Sequence, residues 1–329
     1  MKPTPPARPS FRRFLALILL GVTFFSPLSA EAWNAAGHRL IARIAWDFLD
    51  PQTRLEVADL LHTHPDYVRW QQRGQDRDAD RNAFIEASTW PDEIRKDTRF
   101  YEVGRDAASK TLLGFPDMEQ HREWHYVNRP VGSDLPENYS RGLLDQALPA
   151  MAQTITAKKA SLTQRSYALP WLIHLVGDAH QPLHTSRKPL GGSPLQFADE
   201  QKWANPFNPQ KPPLSLHGFW DSLPGPLWLR GARLDEQSKA LVASFPYRHY
   251  SGESAQWLDE SWQIARKSGY PSEEEPGKTL SAAFHQKSRD IAERRLAEAA
   301  YRLADLLNRL INPREAKALN NCPAESGCP

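Results

Sequence analysis

The sequence predicts one mostly α-helical domain, and three observations support this prediction. Apolar residues recur every three or four positions in several stretches, which is the spacing of a helix face that packs against a core. No stretch shows the sustained polar and apolar alternation of a half-buried strand, and no internal repeat is visible. With 40% hydrophobic residues and 11 Trp among 329 residues, the chain can bury a substantial core.

The N-terminal segment 1–32 has the pattern of a secretory signal peptide. A basic region precedes an apolar run of 12 residues, Phe14 to Phe25, and the A-x-A cleavage site Ala30-Glu31-Ala32 follows. The run is shorter than the roughly 20 residues that a membrane-spanning helix needs. We therefore expect a signal peptide over 1–32, a folded domain over 33–313 and a tail over 314–329, in a secreted or periplasmic protein. A buried N-terminal helix is the alternative, and Sec and twin-arginine export both remain open.

The charge balance excludes a broadly basic protein. The whole chain has a formal charge of +2, and it changes to −1 because four basic residues and one acidic residue leave with the signal. Any binding of a polyanion must therefore be local, through a patch of side chains or through bound cations. The only cysteines, Cys322 and Cys328, lie in the tail, where a small disulfide loop is expected after export.

The first helix is expected directly after the cleavage site. Apolar residues from Leu40 to Phe48 recur at helical spacing, and His38 lies near the start of that helix. Cleavage after Ala32 makes Trp33 the first residue. Its free amine, with a reference pKa of about 7.7–8.0, loses its proton at little cost when it binds a metal. The amine, its carbonyl and His38 form a candidate metal corner; an ordinary helix with a surface histidine is the alternative.

Two further helices are expected on either side of a polar region. Pro51 is expected to begin one, and residues 139–160 have the apolar spacing of another. The segment 62–81 is polar and is expected to be a loop in which His62 and His64 are solvated.

The stretch between these helices contains a second group of polar residues. Asp92 and Arg95 are three residues apart, on neighbouring positions of one helix face, where a surface salt bridge is the alternative to a functional pair. The polar segment 96–123 is expected to be irregular, and it leads into the aromatic run Trp124-His125-Tyr126-Val127-Asn128.

The stretch from Trp171 to His184 carries the strongest signal for chemistry. His174 and Asp178 are four residues apart, so on a helix their Cβ atoms lie about 5–6 Å apart and both side chains can reach one ion. The flanking residues are apolar, so the pair is expected to be buried, where a carboxylate needs a partner such as a metal ion. Pro182 ends the helix and leaves His184 just beyond it. A simple His–Asp hydrogen bond is the alternative.

A second pair with the same spacing, His217 and Asp221, favours the metal. It follows a long loop over 185–216 that is rich in Gly and Pro, and loops of this length are usually functional. Two more helices are expected to complete the chain, over 253–267 and from Thr279 to about Ile311.

Nine residues therefore supply candidate metal ligands: Trp33, His38, Asp92, His125, His174, Asp178, His184, His217 and Asp221. Nitrogen and carboxylate donors without thiolate suit zinc. A catalytic zinc keeps about three protein ligands and an open position, so nine donor residues match three ions. Pairs of ions about 3.5–4 Å apart recur in phosphatases and nucleases.

As an ordered set, these motifs resemble a known family. The W-x4-H start at Trp33, the segments WPDEIR and WHYVN, and the motifs IHLVGDAHQPLH and LHGFWD are similar to the zinc-dependent, single-strand-preferring nucleases of the fungal P-one and S-one type, often called class I nucleases. The resemblance covers most of the chain from Trp33 to about Asp221. It implies an all-α domain of the phospholipase C/class I nuclease type with three zinc ions in one cleft.

The resemblance implies a role for each site residue. One zinc is held by Asp92, His125, His174 and Asp178, a second by the Trp33 amine and carbonyl, His38 and the shared Asp178, and a third by His184, His217 and Asp221. Arg95 matches the arginine that contacts the scissile phosphate, and the shared Asp178 is the other residue expected to be essential for catalysis. Tyr126 matches the aromatic position on which the nucleobase stacks. Asn128 stands where the fungal enzymes have an aspartate that reads the base edge.

The function that the resemblance implies is that of a secreted zinc-dependent endonuclease. It is expected to hydrolyse phosphodiester bonds of single-stranded DNA and RNA to 5′-phosphorylated products, with 3′-nucleotidase activity as a further expectation. Metal-activated water is expected to attack phosphorus in line while Arg95 stabilises the non-bridging oxygens. No stable protein partner is implied, nor any membrane attachment after signal cleavage.

Two alternatives accompany this interpretation. A zinc-dependent phospholipase C has a wider gap between the N-terminal Trp and the first His, and a Glu in place of Asp221. A non-catalytic exported protein that binds or stores zinc is the second. The chain also departs from the family pattern at the base-recognition positions Asn128 and Ser193, in a longer gap from Asp92 to His125, and in lacking the internal disulfides of the fungal members.

Overall fold

The prediction of a mostly helical domain is confirmed. The computed structural model describes residues 33–75, 77–135, 141–190, 196–248, 252–271 and 279–312, and these contain eleven α-helices and one two-stranded sheet. The helices are α1 (Ala35–Asp47), α2 (Pro51–Thr63), α3 (Tyr67–Arg73), α4 (Ala79–Ala87), α5 (Trp90–Glu93), α6 (Leu144–Thr156), α7 (Leu162–Ala179), α8 (Leu216–Ser222), α9 (Gly231–Ser244), α10 (Ser254–Ile264) and α11 (Ala282–Ile311). None of these helices has both the length and the apolar composition needed to cross a bilayer.

Helix α7 lies at the centre of the molecule because its sequence is apolar on all sides. Every residue from Ser166 to Ala179 is buried, and α7 packs against α1, α2, α6, α10 and α11. Ser161 begins the helix as a capping box: its side chain accepts from the backbone N–H of Gln164, whose side chain accepts from the Ser161 N–H. Along this buried stretch the close packing holds polar side chains in fixed positions, and His174 and Asp178 are among them.

The N-terminal helix α1 is joined directly to α8. Asn34 caps α1, since its side chain accepts from the backbone N–H groups of Ala36 and Gly37. The backbone N–H of Asn34 also donates to the carbonyl of Asp221 over 3.0 Å. The first residue of the described chain, Trp33, is thereby held beside the helix that contains the second His–Asp pair.

The loop over 185–216 contains the only sheet of the described residues. Strand β1 (Lys202–Trp203) pairs antiparallel with β2 (Leu214–Ser215), in the register Lys202 with Ser215 and Trp203 with Leu214. Ser215 then caps α8 by accepting from the Gly218 N–H over 3.0 Å. The sheet was not predicted, because strands of two residues leave no periodic signal.

Two other predictions were wrong in detail. The segment 62–81 contains α3 and the start of α4, and His64 is buried rather than solvated, stacked on Trp70 with ring centroids 4.4 Å apart. Helix α9 was not predicted; its buried residues Leu234, Ser238 and Leu241 are few and one of them is polar, so its periodicity is weak. In both places tertiary packing decides the structure.

Candidate metal centre

The structure brings the predicted His and Asp ligands together in three clusters. They are His38 with His174 and Asp178, Asp92 with His125 and His174, and His184 with His217 and Asp221. Within each cluster the ligand atoms all lie within 4.8 Å of one another. His174 belongs to two clusters, so these two are adjacent.

Asp178 faces a different histidine with each of its oxygens. Its Oδ2 lies 3.1 Å from His125 Nδ1 and 3.3 Å from His174 Nε2, whereas its Oδ1 lies 3.4 Å from His38 Nε2. The i, i+4 spacing on α7 places His174 and Asp178 on one face, and α1 brings His38 against the same face. One carboxylate is therefore divided between two clusters, the arrangement required of a ligand that bridges two ions.

The remaining members of these two clusters come from the segments around α5 and the WHYVN run. Asp92 Oδ1 lies 3.8 Å from His125 Nδ1 and 3.9 Å from His174 Nε2. The rings of His38 and His174 stack with centroids 3.8 Å apart and planes 13° apart. Asp92, with 13% of its side chain exposed, is the point at which this buried group reaches solvent.

The third cluster combines the residue after α7 with the pair on α8. His184 Nε2 and His217 Nε2 are 3.0 Å apart, and they lie 3.9 and 3.6 Å from the carboxylate oxygens of Asp221. All three side chains are buried. As predicted, Pro182 follows the end of α7 and begins a short 3₁₀ turn, Pro182–His184, which turns His184 back toward α8.

Backbone carbonyls fix the protonation of two of the histidine rings. His174 Nδ1 lies 2.7 Å from the Ser88 carbonyl, and His184 Nδ1 lies 2.6 Å from the His125 carbonyl. A carbonyl oxygen only accepts, so Nδ1 carries the proton in both rings and the Nε2 lone pair faces the cluster. This is the orientation that metal-binding histidines require.

Several buried polar atoms at the centre have no hydrogen-bond partner among the described residues. Both ring nitrogens of His38 and Oδ1 of Asp178 are in this condition. Buried polar atoms are nearly always paired, so a group of such atoms in one place indicates a missing partner. Imidazole nitrogens and carboxylate oxygens are suitable ligands for a divalent ion such as zinc. The residues present therefore fit a metal.

The electrostatics of the site favour the metal-binding forms of three histidines and of the shared carboxylate. Burial lowers the pKa of His38, His125 and His217 well below the usual value, so these rings are neutral and their lone pairs are available. For His174, burial acts to lower the pKa, but Asp178 and Asp92 outweigh it and the pKa is raised. For Asp178, burial acts to raise the pKa, but His174 and His125 outweigh it and the pKa lies well below its usual value. The carboxylate is therefore ionised, as metal binding requires.

Arg95, Tyr126 and Asn128 lie together in a cavity of about 670 Å³ whose lining also includes His217 of the third cluster. Arg95 Nη2 lies 3.1 Å from Asp92 Oδ1, which joins the arginine to the edge of the metal clusters. Tyr126 is half-buried, and a Cβ atom at Gly142 would lie 2.4 Å from its Cδ2, so only glycine leaves room for this ring. The structure thus places all three residues where a substrate beside the clusters would meet them.

Trp33 is fully buried at the start of α1, beside α8. In the full chain its nitrogen belongs to a peptide bond, and it is an amine only in a chain cut after Ala32. The segment 1–32 predicted to be a signal peptide, the tail with Cys322 and Cys328, and the loop residues Gly191, Gly192 and Ser193 lie outside the described residues.

Several residues of the site were missed in the sequence analysis. Gln181 Nε2 donates to Asp221 Oδ1 over 2.7 Å, so Gln181 orients a ligand of the third cluster. Arg122 and Arg187 also line the cavity, where Arg122 pairs with Glu102 and Arg187 pairs with Glu200. The sequence signal for Gln181 was its position between the ligands Asp178 and His184. The sequence around the two arginines contains no comparable signal.

A mostly helical chain that gathers three His/Asp clusters beside a cavity with an arginine has the architecture of a metal-dependent hydrolase. Residues 33–312 match the S1/P1 Nuclease family, which is most of the chain, so this protein belongs to that family. It is therefore a hydrolytic phosphodiesterase, a nuclease that acts on nucleic acids. The resemblance inferred from the motifs is confirmed, and the family match favours the nuclease over the phospholipase and storage alternatives.

The relatives include plant and fungal proteins. The chain is 25% identical over 317 residues to Endonuclease 5 of Arabidopsis thaliana, with 86% of this chain and 92% of the relative covered. It is 26% identical over 336 residues to Endonuclease 1 of the same plant, with 94% and 97% covered. It is 23% identical over 232 residues to Nuclease P1 of Penicillium citrinum, with 69% of this chain and 72% of the relative covered.

Proposed function

We propose that the protein is a secreted endonuclease that holds three zinc ions and cleaves single-stranded DNA and RNA to 5′-phosphorylated products, with 3′-nucleotidase activity. The observation that carries the proposal is Asp178, whose two oxygens face two different histidine clusters at distances of 3.1–3.4 Å. In this proposal cleavage after Ala32 removes the signal, residues 33–313 form the nuclease domain, and the amine of Trp33 completes the cluster of His38 and Asp178. Cys322 and Cys328 form a disulfide in the tail.

The chain supplies binding and orientation, and the metals supply the reactive charge. Bound divalent ions lower the pKa of a water and stabilise negative charge on phosphate oxygens. Arg95, held at Asp92, donates from its guanidinium to the non-bridging oxygens of the phosphate at the cavity floor. The Ser88 and His125 carbonyls accept from Nδ1 of His174 and His184, so in the neutral rings the Nε2 lone pairs face the clusters.

The cavity supports the proposed preference for single strands. Tyr126 and Asn128 lie inside the cavity with Arg95, so a base reaches them only when it can turn out of a duplex stack. The Tyr126 ring offers a stacking face, and the Asn128 amide offers both a donor and an acceptor to a base edge. An aspartate at this position would only accept, so base selectivity differs from that of relatives with aspartate.

The test is digestion of single-stranded DNA, single-stranded RNA and duplex DNA by the secreted protein, before and after metal removal. We expect both single strands to be cut faster than the duplex, products with 5′-phosphate ends, loss of activity on chelation and recovery with zinc. Metal analysis is expected to give three zinc ions per chain, and N-terminal sequencing is expected to begin at Trp33. Cleavage that survives complete metal removal would refute the proposal, as would a fully active secreted chain with a different N-terminus.

A further inference from the structure

The cavity continues into an adjoining surface that the catalytic proposal does not use. Asn128 and Arg187 line the cavity, and the next residues along the chain, Arg129 and Lys188, lead away from it. The two segments are paired, since the Arg187 N–H donates to the Arg129 carbonyl over 2.9 Å and the Val131 N–H donates to the Arg187 carbonyl over 2.9 Å. The backbone that carries Arg129 and Lys188 is therefore fixed next to residues that line the cavity.

Cationic groups and aromatic rings alternate on this surface. The Arg129 and Arg266 guanidinium carbons lie 4.5 and 4.7 Å from the centre of the Trp262 ring, and Lys188 Nζ lies 5.4 Å from the centre of the Tyr270 ring. We call these five residues the basic ridge: Arg129, Lys188, Trp262, Arg266 and Tyr270. Trp262 is partly exposed and Arg266 is exposed, so both are accessible to a ligand.

The ridge is attached to the metal centre through an unusual turn. After α10 the chain forms a π-helical turn, Ala265–Gly269, which carries Arg266 and the exposed Lys267. The carbonyl of Gly269 accepts from Trp220 Nε1 on α8 over 3.0 Å, and a Cβ at Gly269 would lie 3.2 Å from Cδ2 of Leu183, the neighbour of His184. Short π-helical segments in proteins occur frequently at functional sites. The turn that carries Arg266 is therefore packed against α8 and Leu183, which adjoin the third cluster.

The charge of the ridge is only partly neutralised. Asp259 pairs with Arg129 at 3.1 Å, and Arg187 is paired with Asp199 and Glu200. Arg266 Nη1 instead lies 3.5 Å from the Gln263 amide oxygen, a neutral partner that leaves its full charge available. In a chain with a net charge of +2 from 80 ionised side chains, such a local surface is what a polyanion can recognise.

We propose that the basic ridge binds the part of a single strand that extends beyond the scissile phosphate; this inference rests on the nuclease function proposed above. Guanidinium groups pair with phosphate oxygens, and aromatic rings and guanidinium planes stack with unpaired bases of any sequence. In this proposal the cavity of about 670 Å³ holds the nucleotide at the cleavage site, and the ridge binds the adjacent nucleotides of the strand. The enzyme would then bind long strands more tightly than dinucleotides.

The proposal is tested by binding, separately from turnover. The probe is a labelled single strand with a hydrolysis-resistant phosphorothioate backbone, and its affinity for the metal-loaded protein is measured by fluorescence anisotropy at several salt concentrations. Arg266→Gln is expected to lower the slope of log affinity against log salt by about 0.7, the contribution of one phosphate contact on a single strand. Trp262→Ala is expected to weaken binding about fivefold or more, the effect of losing one base stack.

Arg233→Gln is the matched control. Arg233 is also exposed and lies 5.1 Å from a tryptophan ring, that of Trp228, but it belongs to α9, which packs against α1. This variant is expected to bind the strand as the unchanged protein does. An equal loss in Arg266→Gln and Arg233→Gln would overturn the ridge, because it would show only a general effect of charge.

Turnover then separates the two proposals. The Arg266→Gln variant is expected to keep the dinucleotide rate while KM for a long strand rises severalfold. Equal falls in the cleavage rates of the dinucleotide and of the long strand would overturn the proposal for the ridge. So would an unchanged affinity together with an unchanged KM for the long strand. Binding by the ridge without cleavage of any strand by the unchanged protein would instead refute the nuclease proposal.

Because Arg266 is exposed, its substitution is not expected to change folding, and an unchanged thermal transition checks this. A last arm measures binding of the protein to vesicles of anionic lipid. If the vesicles bind and the single strand does not, and Arg266→Gln weakens the binding of vesicles, the ridge does not bind nucleic acid.

Discussion

Two buried polar clusters lie on opposite sides of the end of α7, and they differ in how their atoms are paired. On one side His38, His174 and Asp178 are buried, and Asp178 Oδ1 and both nitrogens of His38 have no hydrogen-bond partner among the described residues. On the other side His180 is equally buried, but its Nδ1 donates to the Val176 carbonyl over 2.7 Å and its Nε2 accepts from Arg302 over 2.9 Å. The histidines are therefore equally buried on both sides, and the pairing of their ring nitrogens distinguishes them.

The second cluster is complete without any ion. Glu260 accepts from Arg302 over 2.7 and 2.9 Å and from Arg295 over 2.8 Å, and Arg295 also donates to Ser261 and Glu298. Its function is to join α7, α10 and α11. A buried histidine thus indicates a metal only when its partners are missing and other ligand atoms converge on it.

The largest expected effect comes from Asp178→Asn. The amide keeps the volume of the side chain but loses the charge that two clusters share. We expect turnover to fall roughly 100-fold or more, beyond the loss typical of an outer partner of a ligand, and metal analysis to show fewer ions per chain. Near-normal activity with a full metal content would contradict the shared role of this carboxylate.

Gln181→Leu removes the hydrogen bond to Asp221 Oδ1 and the acceptor of the Leu183 N–H in the turn before His184, while every ligand side chain is kept. We expect the affinity for the ion of the third cluster to fall roughly 10- to 100-fold, because outer partners orient ligands. Titration of the metal-free protein with zinc against a competing chelator measures this loss. Unchanged affinity at every site would show that Asp221 is held by α8 alone.

Glu260→Gln tests the complete cluster. Arg295 and Arg302 are buried and lose their shared anionic acceptor, so the free energy of unfolding is expected to fall by about 1–3 kcal/mol. Chemical denaturation measures the change, while metal content and turnover of the folded protein should stay the same. Loss of metal in this variant would mean that the two sides of α7 are coupled.

At neutral pH the smallest effect is that of His64, a third kind of buried histidine, because its contribution changes only in acid. Its Nε2 has no hydrogen-bond partner among the described residues, but the rings of Trp70, Trp90 and Phe115 surround it and it belongs to none of the three metal-ligand clusters. Burial lowers the pKa of His64 from 6.5 to about 3, so between these values the unfolded chain binds the extra proton. This contribution to the free energy of unfolding is therefore fully present above pH 6.5 and is lost as the pH falls toward 3.

His64→Phe is expected to remove that part of the acid sensitivity, up to roughly 1.4 kcal/mol per pH unit between pH 6.5 and 3. Denaturation curves of both proteins across this pH range give the difference. Parallel pH profiles, offset only by a constant, would show that His64 titrates normally in the folded protein.

Local spacing accounts for what was predictable from the sequence. His174 with Asp178 and His217 with Asp221 were recognised because positions four apart share a helix face whatever the rest of the chain does. The Ser88 carbonyl that fixes His174, the Gln181 bond to Asp221 and the aromatic surroundings of His64 could not be predicted in this way. Each depends on segments that are distant in sequence or on turns without periodicity. The two His–Asp pairs were thus predictable from spacing, the other ligands were inferred from the resemblance, and the contacts that orient them were not predictable.

The complete burial of α7 from Ser166 to Ala179 also limits how this enzyme can change. A substitution anywhere along that stretch disturbs the close-packed interior before it alters any contact with substrate. Substrate preference can therefore change mainly through residues outside this helix. Examples are Asn128, which lines the cavity, and Arg266, which lies on the π-helical turn. For protein engineering, a library of variants should change these outer positions and keep the sequence of α7.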